Sequence, residues 1–148
     1  MDDAPLLWRW ANDADTRRWS FDPAPIPYAD HVAWLRARVA SDSTRLWIFS
    51  DECGPAGQIR LDVADGVADV SLAVAPERRG HGLGTAMLRQ ALASVRSEWP
   101  GEVRLRAQVF ADNAPSLRLF QRCGFREIDR RRTARADVVV LEHAAGES

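Results

Sequence analysis

The chain has 148 residues, 46% hydrophobic and 28% charged, which suits one ordinary globular core. Its net charge of -1 supplies no broad basic field for nucleic acid. No apolar run approaches the ~18 residues of a membrane helix, Asp2 and Asp3 stand where a signal peptide would be basic, and Cys53 and Cys123 form no CxxC pair. The expectation is a cytoplasmic, metal-free protein with a single domain over residues 1–148.

In chain order, residues 5–12 begin with Pro5 and carry Leu6, Leu7, Trp8, Trp10 and Ala11, which predicts a short helix. Pro23, Pro25 and Pro27 make 20–28 an irregular extended loop. Asp30 can cap a second helix, whose apolar Val32, Leu35 and Val39 recur at helical spacing. Residues 45–50, 57–63 and 67–75 read as three strands, with Asp65-Gly66 marking a hairpin between the last two. In the third strand Val70, Leu72 and Val74 share one face and Asp69, Ser71 and Ala73 the other.

A helix is predicted over 82–98, with Leu83, Met87, Ala91 and Val95 on one stripe and Pro100-Gly101 as its stop. Residues 103–109 alternate as a fourth strand. Asn113 can cap another helix, with Pro115 in its first turn and Gly124 just past its end. Residues 125–129 and 137–141 are two last strands around an Arg-rich turn. This order implies an α/β (α+β) fold: a mixed sheet of about six strands, antiparallel at first and parallel across the strand-helix-strand unit, with helices on both faces.

Between the third strand and its helix lies Arg78-Arg79-Gly80-His81-Gly82-Leu83-Gly84. Glycines at alternate positions let backbone approach a ligand closely, and the helix that follows begins with unpaired N–H groups and a positive dipole end. Such a turn can hold phosphate. A nucleotide-hydrolysing loop would need a lysine, and the chain has none. A dinucleotide fingerprint would need a third glycine at position 87, which is Met. The pattern Arg/Gln-x-x-Gly-x-Gly/Ala is filled by Arg79, Gly82 and Gly84.

With this segment, Val74-Ala75-Pro76-Glu77-Arg78-Arg79-Gly80-His81-Gly82-Leu83-Gly84-Thr85, and the downstream set Asn113, Ser116, Leu119, Phe120, Gly124 and Phe125, the sequence resembles the GNAT acetyltransferase superfamily over about residues 67–128. The resemblance implies transfer of an acetyl group from acetyl-CoA to a primary amine by direct attack in a ternary complex. It implies a sheet splayed between its two parallel central strands. Backbone of Leu72, Ala73 and Val74 would pair with the pantetheine arm of CoA. The amides of Arg79, Gly80, His81, Gly82, Leu83, Gly84 and Thr85 would hold its pyrophosphate, with Asn113 and Ser116 as further cofactor contacts. The Val74 amide would stabilise the oxyanion. Asp69, on the face where relatives often carry Glu, is the candidate base through a water, with Glu77 as runner-up. Many relatives carry an acidic Tyr where this chain has Phe120, so no side-chain acid is expected and solvent would protonate the thiolate.

The opening forty residues would wall the acceptor site. Arg17, Arg18, Trp19 and Phe21, with His31 and Trp34, resemble the opening of members that acetylate nucleotide-linked amino sugars. Arg17, Trp19 and Phe21 are the candidate acceptor contacts, by stacking and by charge, and Arg130, Arg131 and Arg132 offer further forks or a solvated turn. Trp8, Trp10 and Trp34 also suit a core, and His31 the surface of a helix. The small-molecule amine could instead be a polyamine or a protein N-terminus, or the chain could bind CoA without turnover. Only four residues precede Pro5, so the strand that usually opens the fold is expected to be missing or vestigial, which leaves a sheet edge to solvent or to a second copy in a homodimer.

Overall fold

A computed structural model of the chain describes residues 4–13, 24–80, 82–98 and 104–144. Its helices are α1 (Ala4–Ala11), α2 (Tyr28–Ala40), α3 (Leu83–Glu98) and α4 (Ala114–Arg122). Its strands are β1 (Thr44–Asp51), β2 (Gly54–Ala64), β3 (Val67–Val74), β4 (Arg104–Phe110), β5 (Arg126–Arg132) and β6 (Asp137–Ala144). Element order follows the sequence reading. Asp65 and Gly66 take φ of 53° and 77°, the left-handed pair that a two-residue hairpin turn requires.

The strands form one sheet in the order β1-β2-β3-β4-β6-β5. All neighbours are antiparallel except β3 and β4. One face carries Ile59, Leu61, Val70, Leu105, Val139 and Leu141, buried against Leu88, Leu92 and Val95 of α3 and Phe120 of α4. On the opposite face Ala4, Leu7 and Trp10 of α1 meet Leu35 of α2, with Ala75, Leu46 and Ile48. The alternation of β2 therefore sends Ile59 and Leu61 into the main core and Gln58, Arg60 and Asp62 to the other side. At Gly57 a Cβ would stand 2.7 Å from Met87 Sδ and 2.9 Å from the Ala73 carbonyl oxygen, so glycine there lets α3 lie against β2.

Several local expectations change. α2 begins three residues earlier than a cap at Asp30 would put it: Pro27 holds the N-cap position and Asp30 falls in the first turn. Asn113 occupies an N-cap without donating or accepting a side-chain capping bond. Arg130, Arg131 and Arg132 lie within β5, exposed, and the turn is 133–136, closed by the Thr133 hydroxyl on the Ala136 carbonyl. Among the described residues no strand precedes α1, and β1 and β5 are the sheet edges.

Burial in the main core sets the stability of this arrangement. Leu88 is fully buried and Val39 is 62% exposed. Leu88→Ala should cost about 2–5 kcal/mol of unfolding free energy, whereas Val39→Ala should stay within about 0.5 kcal/mol; urea denaturation of the two variants measures the contrast.

Candidate active site

β3 and β4 are paired only at Val67↔Arg104, Ala68↔Leu105 and Asp69↔Arg106. Beyond that point β3 stays with β2 as far as Val74↔Gly57, and β4 stays with β6 as far as Phe110↔Val138. Residues 70–74 and 107–110 therefore face each other across a gap, each with one unpaired sheet edge. Buried backbone donors and acceptors need partners, so the edge is suited to an amide-bearing ligand that lies along it like a strand.

The gap opens into a cleft of about 1120 Å³. Its wall includes Leu72, Ala73, Val74, Arg79, Gly80, Gly82, Leu83, Gly84, Thr85, Asn113 and Ser116, so every described residue predicted to touch the cofactor lies in one place. His81 lies outside the described residues. After β3 the chain makes a 3-10 turn, Pro76–Arg78, and then passes Gly80 and Gly82 at φ of 85° and 78°. Both are left-handed, where a Cβ costs about 1–2 kcal/mol. No acidic residue occupies the first turn of α3, so the dipole end that faces the cleft is not neutralised locally. Gly84 serves packing: a Cβ there would stand 2.7 Å from Leu119 Cδ1 on α4. Extended backbone beside an anion-binding helix start fits a long molecule with amides at one end and phosphates at the other.

Phe120 also lines the cleft, 4% exposed and edge-on to Phe125 at 5.0 Å. It offers no proton. Tyr28 opens α2, packs edge-on against Trp8 at 5.3 Å and does not line the cleft. Glu77 is exposed beside Arg78, with a 3.7 Å ion pair. Asp69 stands at the closed end of the gap, in register with Asp62 and Arg106, one residue below the first lining residue of β3. Partial burial raises its carboxyl above the ordinary aspartate value and Arg106 opposes the rise.

The acceptor side departs most from expectation. Arg17, Arg18, Trp19 and Phe21 lie outside the described residues. His31 is not a surface residue: it is 5% exposed, lines the cleft, and its buried Nε2 has no partner among the described residues. Burial pushes its imidazole below the ordinary histidine value, which favours the neutral ring. Trp10 is core, whereas Trp34 is 38% exposed and lines the cleft. The sequence reading passed over Arg60, Gln58 and Gln108, which also line it. The available signal was Gln58, Arg60 and Asp62 recurring on one face of a central strand, where apolar residues are usual.

Two ion pairs fix the cleft's rim. Arg79 Nη2 reaches Asp13 Oδ2 at 2.9 Å, tying the glycine turn to the end of α1. Arg78 donates from Nε and Nη2 to both oxygens of Asp51, at 2.7 and 3.0 Å.

The matches to known proteins agree with this geometry. A family model described as Acetyltransferase (GNAT) domain covers residues 1–126. The chain is 30% identical over 119 residues to YwnH of Bacillus subtilis (strain 168), which carries a proposed name as a phosphinothricin acetyltransferase; the match spans 76% of this chain and 71% of YwnH. Its fold is similar to that of spermidine N-acetyltransferase from Vibrio cholerae, solved with CoA and spermine, at a TM-score of 0.86 and 16% identity over 96% of this chain and 89% of that one. It is also similar to ribosomal-protein-alanine N-acetyltransferase from Brucella melitensis, at 0.83 and 20% over 97% and 94%.

The rim pair predicts an acid dependence. Hydrogen bonding from Arg78 pulls the Asp51 carboxyl down to about 2. A depressed carboxylate contributes stability above its ordinary pKa and loses it as pH falls through the folded value. The stability difference between wild type and Asp51→Asn should be constant from about pH 7 to 5 and vanish between about pH 4 and 2; urea melts at each pH measure it.

Proposed function

The chain belongs to the GNAT acetyltransferase family, and from that premise we propose that it moves the acetyl group of acetyl-CoA to a primary amine by direct attack in a ternary complex. The parted edge of β3 beside the glycine turn is the observation that carries this reading. Leu72, Ala73 and Val74 would receive the pantetheine amides. Arg79, Gly80, His81, Gly82, Leu83, Gly84 and Thr85 would hold the pyrophosphate, and Asn113 and Ser116 would complete the cofactor wall.

In this proposal the amine nitrogen forms its bond to the acetyl carbon while the carbon–sulfur bond breaks. The Val74 amide steadies the negative oxygen as a fixed dipole. Asp69, at the foot of the gap, takes the amine's proton through a water, and its raised carboxyl makes it a stronger base than an ordinary aspartate. The CoA thiolate, with a reference pKa of about 8.5, is protonated by solvent, because Phe120 supplies no acid.

For the acceptor we favour a small amine that carries negative charge, of which a nucleotide-linked 4-amino sugar is the leading candidate, with Arg17, Trp19 and Phe21 as its contacts. The support is the lining of the cleft. Arg60, Arg78, Arg79 and Arg122 contribute to it, and no Asp or Glu does among the described residues. A polyamine would seek carboxylates. The name of YwnH points the same way, toward an amino acid with carboxylate and phosphinate groups. A polyamine is the second reading, drawn from the spermine-bound relative. A homodimer formed across a sheet edge also belongs to this proposal.

Two variants test the roles. Gly82→Ala should raise the KM for acetyl-CoA about tenfold, matching the strain of a left-handed alanine, with a smaller change in kcat. Asp69→Asn should lower kcat about 10²–10⁴-fold and remove the acidic limb of the pH–rate profile, which in the wild type rises through a pKa above the ordinary aspartate value. Thiol release from acetyl-CoA with an amine panel reads both; CoA binding without release for any amine would favour a sensor instead.

A further inference from the structure

On the acceptor side of the sheet the structure holds one guanidinium in a fixed pose. Arg60 projects from β2 on the face shared with Gln58 and Asp62, and it lines the cleft. Its Nε donates to Asp62 Oδ2 at 2.8 Å and its Nη2 to the Ser71 hydroxyl at 3.0 Å. The Trp34 ring covers it, 4.7 Å from Cζ. Asp62 is itself held by the Thr44 hydroxyl at 2.9 Å and by Arg38 at 3.4 Å. Among the described residues Nη1 has no hydrogen-bond partner.

This is more structure than a stabilising ion pair needs. Asp62 serves two arginines, Arg38 and Arg60, and the Asp69 carboxylate stands across from it on the same face. Ser71 orients the fork without neutralising it. Trp34 lays a part-exposed indole over it, although the ring would bury more apolar surface if packed in the α1–α2 core. His31 stands beside Trp34 at a ring distance of 5.6 Å, with its own buried Nε2 unpartnered among the described residues. A pre-oriented guanidinium with Nη1 open among the described residues, roofed by an aromatic ring, has the chemistry of an oxyanion receptor. Because the pose is fixed beforehand, little side-chain freedom is lost on binding.

We propose that Arg60 is the specificity-determining residue of the acceptor site, and that it selects amines whose framework carries a phosphate or carboxylate. Trp34 and Ser71 position it, and the His31–Trp34 edge completes the wall. The inference rests on the acetyl-transfer reading and deepens it: the glycine turn grips one anion, that of the cofactor, and Arg60 a second, that of the acceptor.

The test uses the full chain saturated with CoA, so that the glycine turn is occupied, and titrates it by calorimetry with UDP, inorganic phosphate and malonate. The wild type should bind at least one of them saturably. Arg60→Met should weaken that binding at least tenfold, Arg60→Lys should retain part of it, and CoA affinity should stay within twofold for both. Trp34→Leu, a change at an exposed ring, should weaken it about threefold and keeps the test open if Arg60→Met does not fold. In turnover, O-phosphoethanolamine or β-alanine should outperform ethanolamine in the wild type, and Arg60→Met should erase that preference through KM; which of the two is preferred separates phosphate from carboxylate. Absence of binding by all three anions, or equal binding by the Arg60 and Trp34 variants and the wild type, overturns the proposal. Failure of the wild type to bind CoA at all would instead overturn the acetyl-transfer reading beneath it.

Discussion

The structure turns on the parting of β3 from β4 after Asp69 and Arg106. A continuous parallel ladder would satisfy both edges and leave no room between them. Each strand is instead committed to its outer neighbour, β3 to β2 and β4 to β6, over its full length. The inner edges are left to a ligand. α3 and α4 hold the gap from the core side, where Leu72, Val74, Gly84 and Leu119 meet, and α1 and α2 wall it from the other. The same commitment that opens the sheet thus places a helix start, two left-handed glycines and an exposed strand edge around one volume.

Charge is distributed along this cleft in an ordered way. Arg78 and Arg79 sit at the cofactor end, each tied to an acidic residue from a neighbouring segment, Asp51 at the end of β1 and Asp13 after α1. Those ties connect the glycine turn to the first hairpin and to the α1 wall. Arg60 sits on the sheet itself, tied within β2 and to β3. Asp69 and Arg106 lie where the two strands still touch. The cleft is thus lined by cations while their carboxylate partners stand outside the lining, an arrangement that fits anionic ligands at both ends.

Much of the fold was legible because its signals are local. Asp65-Gly66 marks a hairpin through backbone conformation alone, and β2 to β4 alternate with a buried face. The glycine turn was legible for the same reason: Gly80 and Gly82 sit at positive φ, and a helix begins directly after. The acceptor side was not, because it depends on tertiary placement. The sequence made His31 the surface of a helix and left Trp34 open between the acceptor wall and a core. Docking of α2 over the sheet overturns the first, turning His31 inward, and decides the second, laying Trp34 on Arg60. The strands of residues 57–63 and 67–75 were read correctly, but which of their two faces would meet a ligand was set by α1 and α2, whose positions no local pattern encodes. The arginines at 130–132 continue a strand because β6 offers them a partner, against the usual reading of such a charged run.

Amide hydrogen exchange with and without CoA tests the central claim most directly. The account predicts that CoA slows exchange at residues 72–74 and 82–85, with no comparable change at residues 57–64 of β2, which are already paired. Protection confined to other segments, or none at saturating CoA, would contradict the claim that the parted strand edge and the glycine turn together form the cofactor site.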